Sequence, residues 1–201
     1  KQLLMKDVHK DYKKADQQFL RRATDNQKQI VKEHGLELRV MATQARPARA
    51  TLKDHKPNFQ EDPKIRLINP TKPEIGRISK KILQKIITAV RGKTKFNQWI
   101  NSDEVINWFE NLPNKENLKF ISFDVCSMYP SISEKLLKNA LQWASQYFNI
   151  SEKDKTTILA SKASLLYDLE KGPWKKKGDI DFDITMGAWD GAETCDICVL
   201  Y

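Results

Sequence analysis

A chain of 201 residues with 40% hydrophobic residues and five Trp is long enough to bury a core and too apolar for a disordered or collagen-like protein. Its 35 Lys and Arg against 26 Asp and Glu leave a net charge of +9, which gives nucleic acid a small edge as partner because each neutralised phosphate releases counterions, although anionic membranes and acidic proteins also answer such a charge. No apolar run is long enough to span a bilayer, no signal-peptide pattern opens the sequence, and the three Cys suit a reducing compartment better than a disulfide scaffold.

From about Met5 to Glu33 the chain is dense in Lys, Gln and Asp with sparse apolar positions, which predicts a solvated helix or helical pair whose cations are solvent cover. The run Leu36-Glu37-Leu38-Arg39-Val40 is β-prone, and Pro47 interrupts any helix near Arg46 and Arg49. The segments Ala50 to Pro57 and Lys64 to Pro70 then read as two short strands joined by a loop containing Pro57, Asn58 and Pro63. Ile75, Ile78, Ile82, Ile86 and Val90 recur at helical spacing. Another helix is expected from Ser102, with Val105, Trp108 and Phe109 turned inward, until Pro113 and Asn114 break it.

Phe120-Ile121-Ser122-Phe123 is a hydrophobic, β-prone run that ends on the carboxylate of Asp124. At the end of a buried strand such a carboxylate is costly unless a cation shares its site, and the bland alternative is an Asp capping the turn that follows. Ser133 is a predicted N-cap, and Ser151 with Asp154 forms an acidic variant of the capping box for a helix reaching about Leu166. The segment Gly172-Pro173-Trp174-Lys175-Lys176-Lys177-Gly178 reads as a basic turn, either solvated or in contact with phosphates, with Trp174 as the Trp placed to stack on a base. Asp179, Asp181 and Asp183 alternate along a predicted strand as a solvated face. Cys195 and Cys198 form a lone C-x-x-C without the further ligands zinc needs, and residues 190–201 read as helix. Strands and helices mix without a regular βαβ period, so the class is α+β.

Nucleotidyl transfer needs carboxylates for metal ions and basic side chains for the triphosphate. Lys53 and Arg66 sit on the predicted hairpin, with Arg able to fork two oxygens, and Tyr129 follows Asp124 by five residues. Each also has a plain reading, as solvated charges or core. In the order Lys53, Arg66-Leu67-Ile68, Phe123-Asp124, Tyr129, Met186-Gly187, the chain resembles a reverse transcriptase passing from fingers into palm. Asp54-His55-Lys56-Pro57, Arg66 to Pro70 and Met186 to Glu193 look like the reverse transcriptases of Penelope-like retroelements. The resemblance runs from Thr51 to Tyr201 and leaves residues 1–45 without counterpart.

The resemblance implies a right-hand polymerase in parts: a helical extension over 1–45, a fingers-like segment with a triphosphate-contacting hairpin over 46–118, and a palm strand and helix over 119–147. A fingers-like continuation with a basic hairpin would follow over 148–186, then a truncated palm helix over 187–201. It makes Asp124 the catalytic carboxylate and, with the Val125 carbonyl, a ligand of Mg2+ or Mn2+. Lys53 and Arg66 would grip the triphosphate, with Lys56 competing for the first role. Tyr129 would exclude a ribose 2′-hydroxyl, and Met186 and Gly187 would pack near the nascent base pair. Lys56, Trp174, Lys175, Lys176 and Lys177 would contact nucleic acid. Implied partners are an RNA template, a DNA primer and a dNTP, without a membrane, in the nucleus and cytoplasm. The family carries a further Asp pair after the Gly187-like position, and the chain ends before one. Trp189-Asp190-Gly191 also stands where a Ser-Pro is common. The excerpt alone is therefore expected to be inactive, with more chain following Tyr201. The alternative is a non-catalytic nucleic-acid-binding module from a decayed or domesticated element.

Overall fold

Ile75, Ile78, Leu83, Ile86, Ile87 and Val90 recur on one side of a 3.6-residue period and are all buried in one helix, α3 (Ile75–Thr94), as that periodicity requires. The computed structural model describes residues 2–37, 46–55, 57–70, 75–96, 98–99, 101–163, 165–168, 172–178 and 181–201. Lys56, Asp179 and most of the β-prone run after Leu36 lie outside them. The chain is a mixed α+β protein with two small antiparallel sheets.

Helices α7 (Glu152–Ala160) and α8 (Gly191–Leu200) pack against α3, and α6 (Glu134–Ala144) packs against α8. In α6, Leu137, Ala140, Leu141 and Ala144 form the inner stripe, and the Ser133 hydroxyl accepts from the Leu136 amide as N-cap. In α7, Ser151 and Asp154 complete the predicted capping box. Helix α8 contributes Ile197 and Cys198. Together with Phe182 and Ile184 these residues make the main core. Burial pushes the thiol of Cys195 up to about 11 and that of Cys198 up to about 12, which leaves both as weakly reactive packing groups.

The N-terminal segment forms the expected helical pair, α1 (Gln2–Asp11) and α2 (Gln17–Glu33), and between them a strand the sequence did not suggest, β1 (Tyr12–Lys14). The predicted hairpin is β2 (Arg49–Leu52) with β3 (Ile65–Ile68), in register Leu52 to Ile65 through Arg49 to Ile68. A second sheet has the order β1-β5-β4, with β4 (Leu166–Asp168) and β5 (Gly172–Lys176). The basic segment after Gly172 is thus a central strand rather than a turn, with Trp174 buried beside Val8, Tyr12 and Leu166. Helix α7 stops at Ala160, short of Leu166, because Leu166 is taken up by the ladder opposite Trp174.

Two expectations fail between α3 and α6. Helix α4 (Ser102–Glu110) contributes no buried residue, and Val105 and Phe109 face solvent. The Phe120–Phe123 run forms no strand and pairs with none among the described residues, with Ile121 78% and Phe123 89% exposed. β-propensity expresses itself only where a neighbouring strand supplies hydrogen bonds and packing. Phe120 instead meets the rings of Trp108 and Phe109 from α4, at 6.2 and 5.4 Å between centroids. Among the described residues no helix is long and apolar enough to cross a membrane.

Candidate functional site

In an antiparallel hairpin, residues directly opposite share a face, and faces alternate along each strand. The register of β2 and β3 therefore puts Arg49, Thr51, Arg66 and Ile68 on one face. The Lys53 amide donates to the Lys64 carbonyl at 2.9 Å and extends the ladder by one step, which adds both lysines to that face. Four cations thus line it, while Ala50, Leu52, Ile65 and Leu67 form the other. Ile65 is buried and Leu67 packs on the cluster around Trp174, so the apolar face is the one turned to the protein. Asp62 is ion-paired with Lys64.

The Ile68 end of this face is closed by the segment around Gly187. The Asn69 amide donates to the Met186 carbonyl at 2.9 Å. Gly187 has φ +104, and a Cβ there would stand 2.7 Å from the Asn69 carbonyl oxygen and 3.2 Å from Ile68 Cγ2. Only glycine adopts that backbone and fits that approach. Gly187→Ala is expected to cost about 3 kcal/mol through backbone strain and displaced contact, seen as a lower midpoint in thermal melting by circular dichroism.

Beyond Gly187 the chain touches three more elements in five residues. Trp189 lies against Gly76 and under the Arg77 guanidinium, 5.4 Å from ring centroid to Cζ. The Asp190 carboxylate is buried and accepts from Ser79 of α3, from Ser161 at 2.8 Å and from Lys162. Gly191 backs onto the Tyr129 ring of α5 (Met128–Ser131), where an added Cβ would stand 2.9 Å from Cε1. Burial raises the Tyr129 hydroxyl above its ordinary value, so it is a neutral, part-covered ring. The Asp190–Lys162 pair was missed in the sequence, where nothing marks Lys162 as different from the other lysines.

Of the predicted site residues, Met186 and Gly187 meet the Ile68 end of the hairpin and Tyr129 meets Gly191, whereas Lys53 and Arg66 lie along the cationic face with no described contact to this loop. Asp124 and Val125 are not joined to them by any described contact. They lie exposed on the unpaired segment before α5, and no described side chain pairs with the Asp124 carboxylate. An accessible, unneutralised carboxylate beside a backbone carbonyl suits a hard cation that completes its shell with water and phosphate oxygens. Among the described residues no group of three His, Cys, Asp or Glu side chains gathers to hold a metal.

The remaining predicted contacts change character. Trp174 is only 4% exposed and lies against His9 at 5.2 Å between centroids, so it offers no face to a base. Lys175 reaches Asp181 at 3.6 Å, and Lys176 reaches Asp183 at 3.0 Å. Asp183 is buried and also accepts from the Tyr12 hydroxyl at 2.5 Å, which burial and this carboxylate hold in its protonated form. Asp183 is therefore a structural anchor rather than part of a solvated acidic face. No family model, curated protein or solved structure matches the chain.

Proposed function

We propose that the chain is the nucleotide-binding half of an RNA-directed DNA polymerase, comprising the fingers and part of the palm of a reverse transcriptase. The reading is supported by a hairpin face carrying Arg49, Lys53, Lys64 and Arg66, whose Ile68 end meets the Gly187 loop that leads to Tyr129. A nucleoside triphosphate is the ligand that asks for this combination: clustered cations at one end and a closely approached backbone with an aromatic ring at the other.

In this reading Arg66 and Lys53 hold the triphosphate, and Arg66 fixes its orientation by forking two oxygens. Met186 and Gly187 would lie near the base pair, with the side of Gly187 where a Cβ would stand taken up by the Asn69 carbonyl, and the Tyr129 ring, backed by Gly191, bars a 2′-hydroxyl. Asp124 and the Val125 carbonyl would be two of the oxygen donors for Mg2+ or Mn2+, an ion that when bound neutralises charge developing on the transferring phosphate. The bond formed joins a primer 3′-oxygen to the α-phosphorus of the dNTP, and the bond broken releases pyrophosphate. RNA template and DNA primer are the corresponding partners. Arg66→Ala is expected to weaken dNTP binding by about 1.5–3 kcal/mol, the value of a charge-assisted contact. Calorimetric titration of the chain with dNTP, against the matching nucleoside, measures it; an unchanged affinity removes Arg66 from the site.

A further inference from the structure

Helix α4 carries no residue of the core, yet it is a formed helix capped by Asn101, whose side chain accepts from the Glu104 amide at 3.0 Å. At about 100° per residue, Val105, Ile106, Trp108 and Phe109 fall on one side of it. Part of that side is used internally. Trp108 meets the Trp99 ring at 4.8 Å between centroids, and Trp108 and Phe109 both meet Phe120. These ring contacts seat the helix and leave Val105, Ile106 and Phe109 exposed, Ile106 by 53%.

The strip does not stand alone. Most of the exposed large hydrophobic side chains among the described residues fall between Phe96 and Val125. Apolar side chains scattered singly over a surface need no explanation, whereas a gathered set rimmed by polar groups marks a place of interaction.

The rim is opposite in charge to the chain as a whole. In a protein of net charge +9, α4 contains Asp103, Glu104 and Glu110 and neither Lys nor Arg. Asp103 stands three residues before Ile106 and Glu110 four after it, the spacings that make neighbours on a helix surface. Both are exposed, and no cation pairs with either carboxylate among the described residues. Lys115 donates to the Glu110 backbone carbonyl and lies over the Phe109 ring rather than on the carboxylate.

We propose that α4 docks a basic amphipathic helix of a partner protein, which lays its apolar stripe on Val105, Ile106 and Phe109 and sets Lys or Arg against Asp103 and Glu110. An exposed helical strip is the surface a second helix packs against, ridge into groove, and complementary charge selects the helix and its register. The same carboxylates repel phosphodiesters and anionic lipid headgroups, so the patch suits neither. A second copy of the chain is a poor occupant, because α2, α3 and α6 turn their apolar stripes into the protein and α4 against α4 would set acid beside acid. The surface shares no residue with the proposed polymerase site, so either reading can fail while the other stands.

The test is fluorescence anisotropy of the 201-residue chain with labelled peptides: one of Leu and Lys with Leu at i, i+3, i+4 and i+7, a twin with Glu for Lys, and a scrambled form of the first. The first is expected to bind roughly tenfold more tightly than either of the others. Ile106→Ser should weaken it about tenfold, the worth of one buried aliphatic side chain, and Asp103→Asn/Glu110→Lys should abolish the preference for Lys over Glu. Circular dichroism melts of both variants should match the wild type, since α4 contributes nothing to the core. Equally tight binding of the Glu or the scrambled peptide, or a preference that survives Asp103→Asn/Glu110→Lys, would overturn the proposal. So would self-association in sedimentation velocity, or partition into phosphatidylcholine vesicles, that Ile106→Ser abolishes.

Discussion

Asp190→Ala is expected to be the most destabilising single substitution among those considered for this fold. Asp190 and Lys162 are 1% and 2% exposed, and the carboxylate is the common acceptor for Lys162, Ser79 and Ser161. Removing it strands an ammonium in the core together with two hydroxyls. Breaking a buried pair in this way costs about 3–5 kcal/mol, or roughly 6–20 °C in midpoint for a chain of this size. Burial already lowers the Lys162 pKa, and Asp190 is the main influence opposing that fall, so its loss lowers the value further.

The pH dependence follows in sign. A lysine whose folded pKa lies below its unfolded value binds more protons when unfolded, so stability rises with pH through that window. The deficit of Asp190→Ala should therefore be largest near neutrality and shrink as pH approaches the ordinary lysine value of about 10.4. The double variant Lys162→Met/Asp190→Asn should recover much of the loss, because it removes the buried charge along with its partner. Melts of the two variants across pH measure both effects. A mild, pH-independent loss for Asp190→Ala would mean that the pair does not hold α3, α7 and α8 together.

The sequence exposed those parts of the fold whose signals are local. The isoleucine spacing of α3, the caps at Ser133 and Ser151, and the hairpin of β2 and β3 each follow from residues a few positions apart. Gly187 was expected to approach a nascent base pair, and nothing in the sequence pointed to the Asn69 carbonyl that stands against it. Contacts that join distant segments left little trace. Lys162 and Asp190 are 28 positions apart, and Tyr12 and Asp183 are 171 apart. β5 was hidden for a different reason. Gly172, Pro173 and Gly178 are turn residues, and three consecutive lysines look solvated. They are tolerated in and just after a central strand because Asp181 and Asp183 neutralise two of them and the Lys175 ammonium lies over the Phe19 ring. At Phe120–Phe123 the error ran the other way, with strong strand propensity but no described strand beside it.

That segment carries the residue on which the polymerase reading depends most heavily. Asp124→Asn keeps the size of the side chain and removes its charge, and the position is exposed and free of described partners, so the fold should be indifferent to it. In a polymerase, a carboxylate that would hold the metal ion neutralising charge at the transferring phosphate is worth several kcal/mol, a factor of about a thousand or more in rate. Primer extension by the full-length protein on an RNA template, with Mg2+ or Mn2+ supplied, is the most direct measurement. The expected result is extension by the wild type and none detectable for Asp124→Asn, with template binding nearly intact. Extension retained by Asp124→Asn would contradict the assignment.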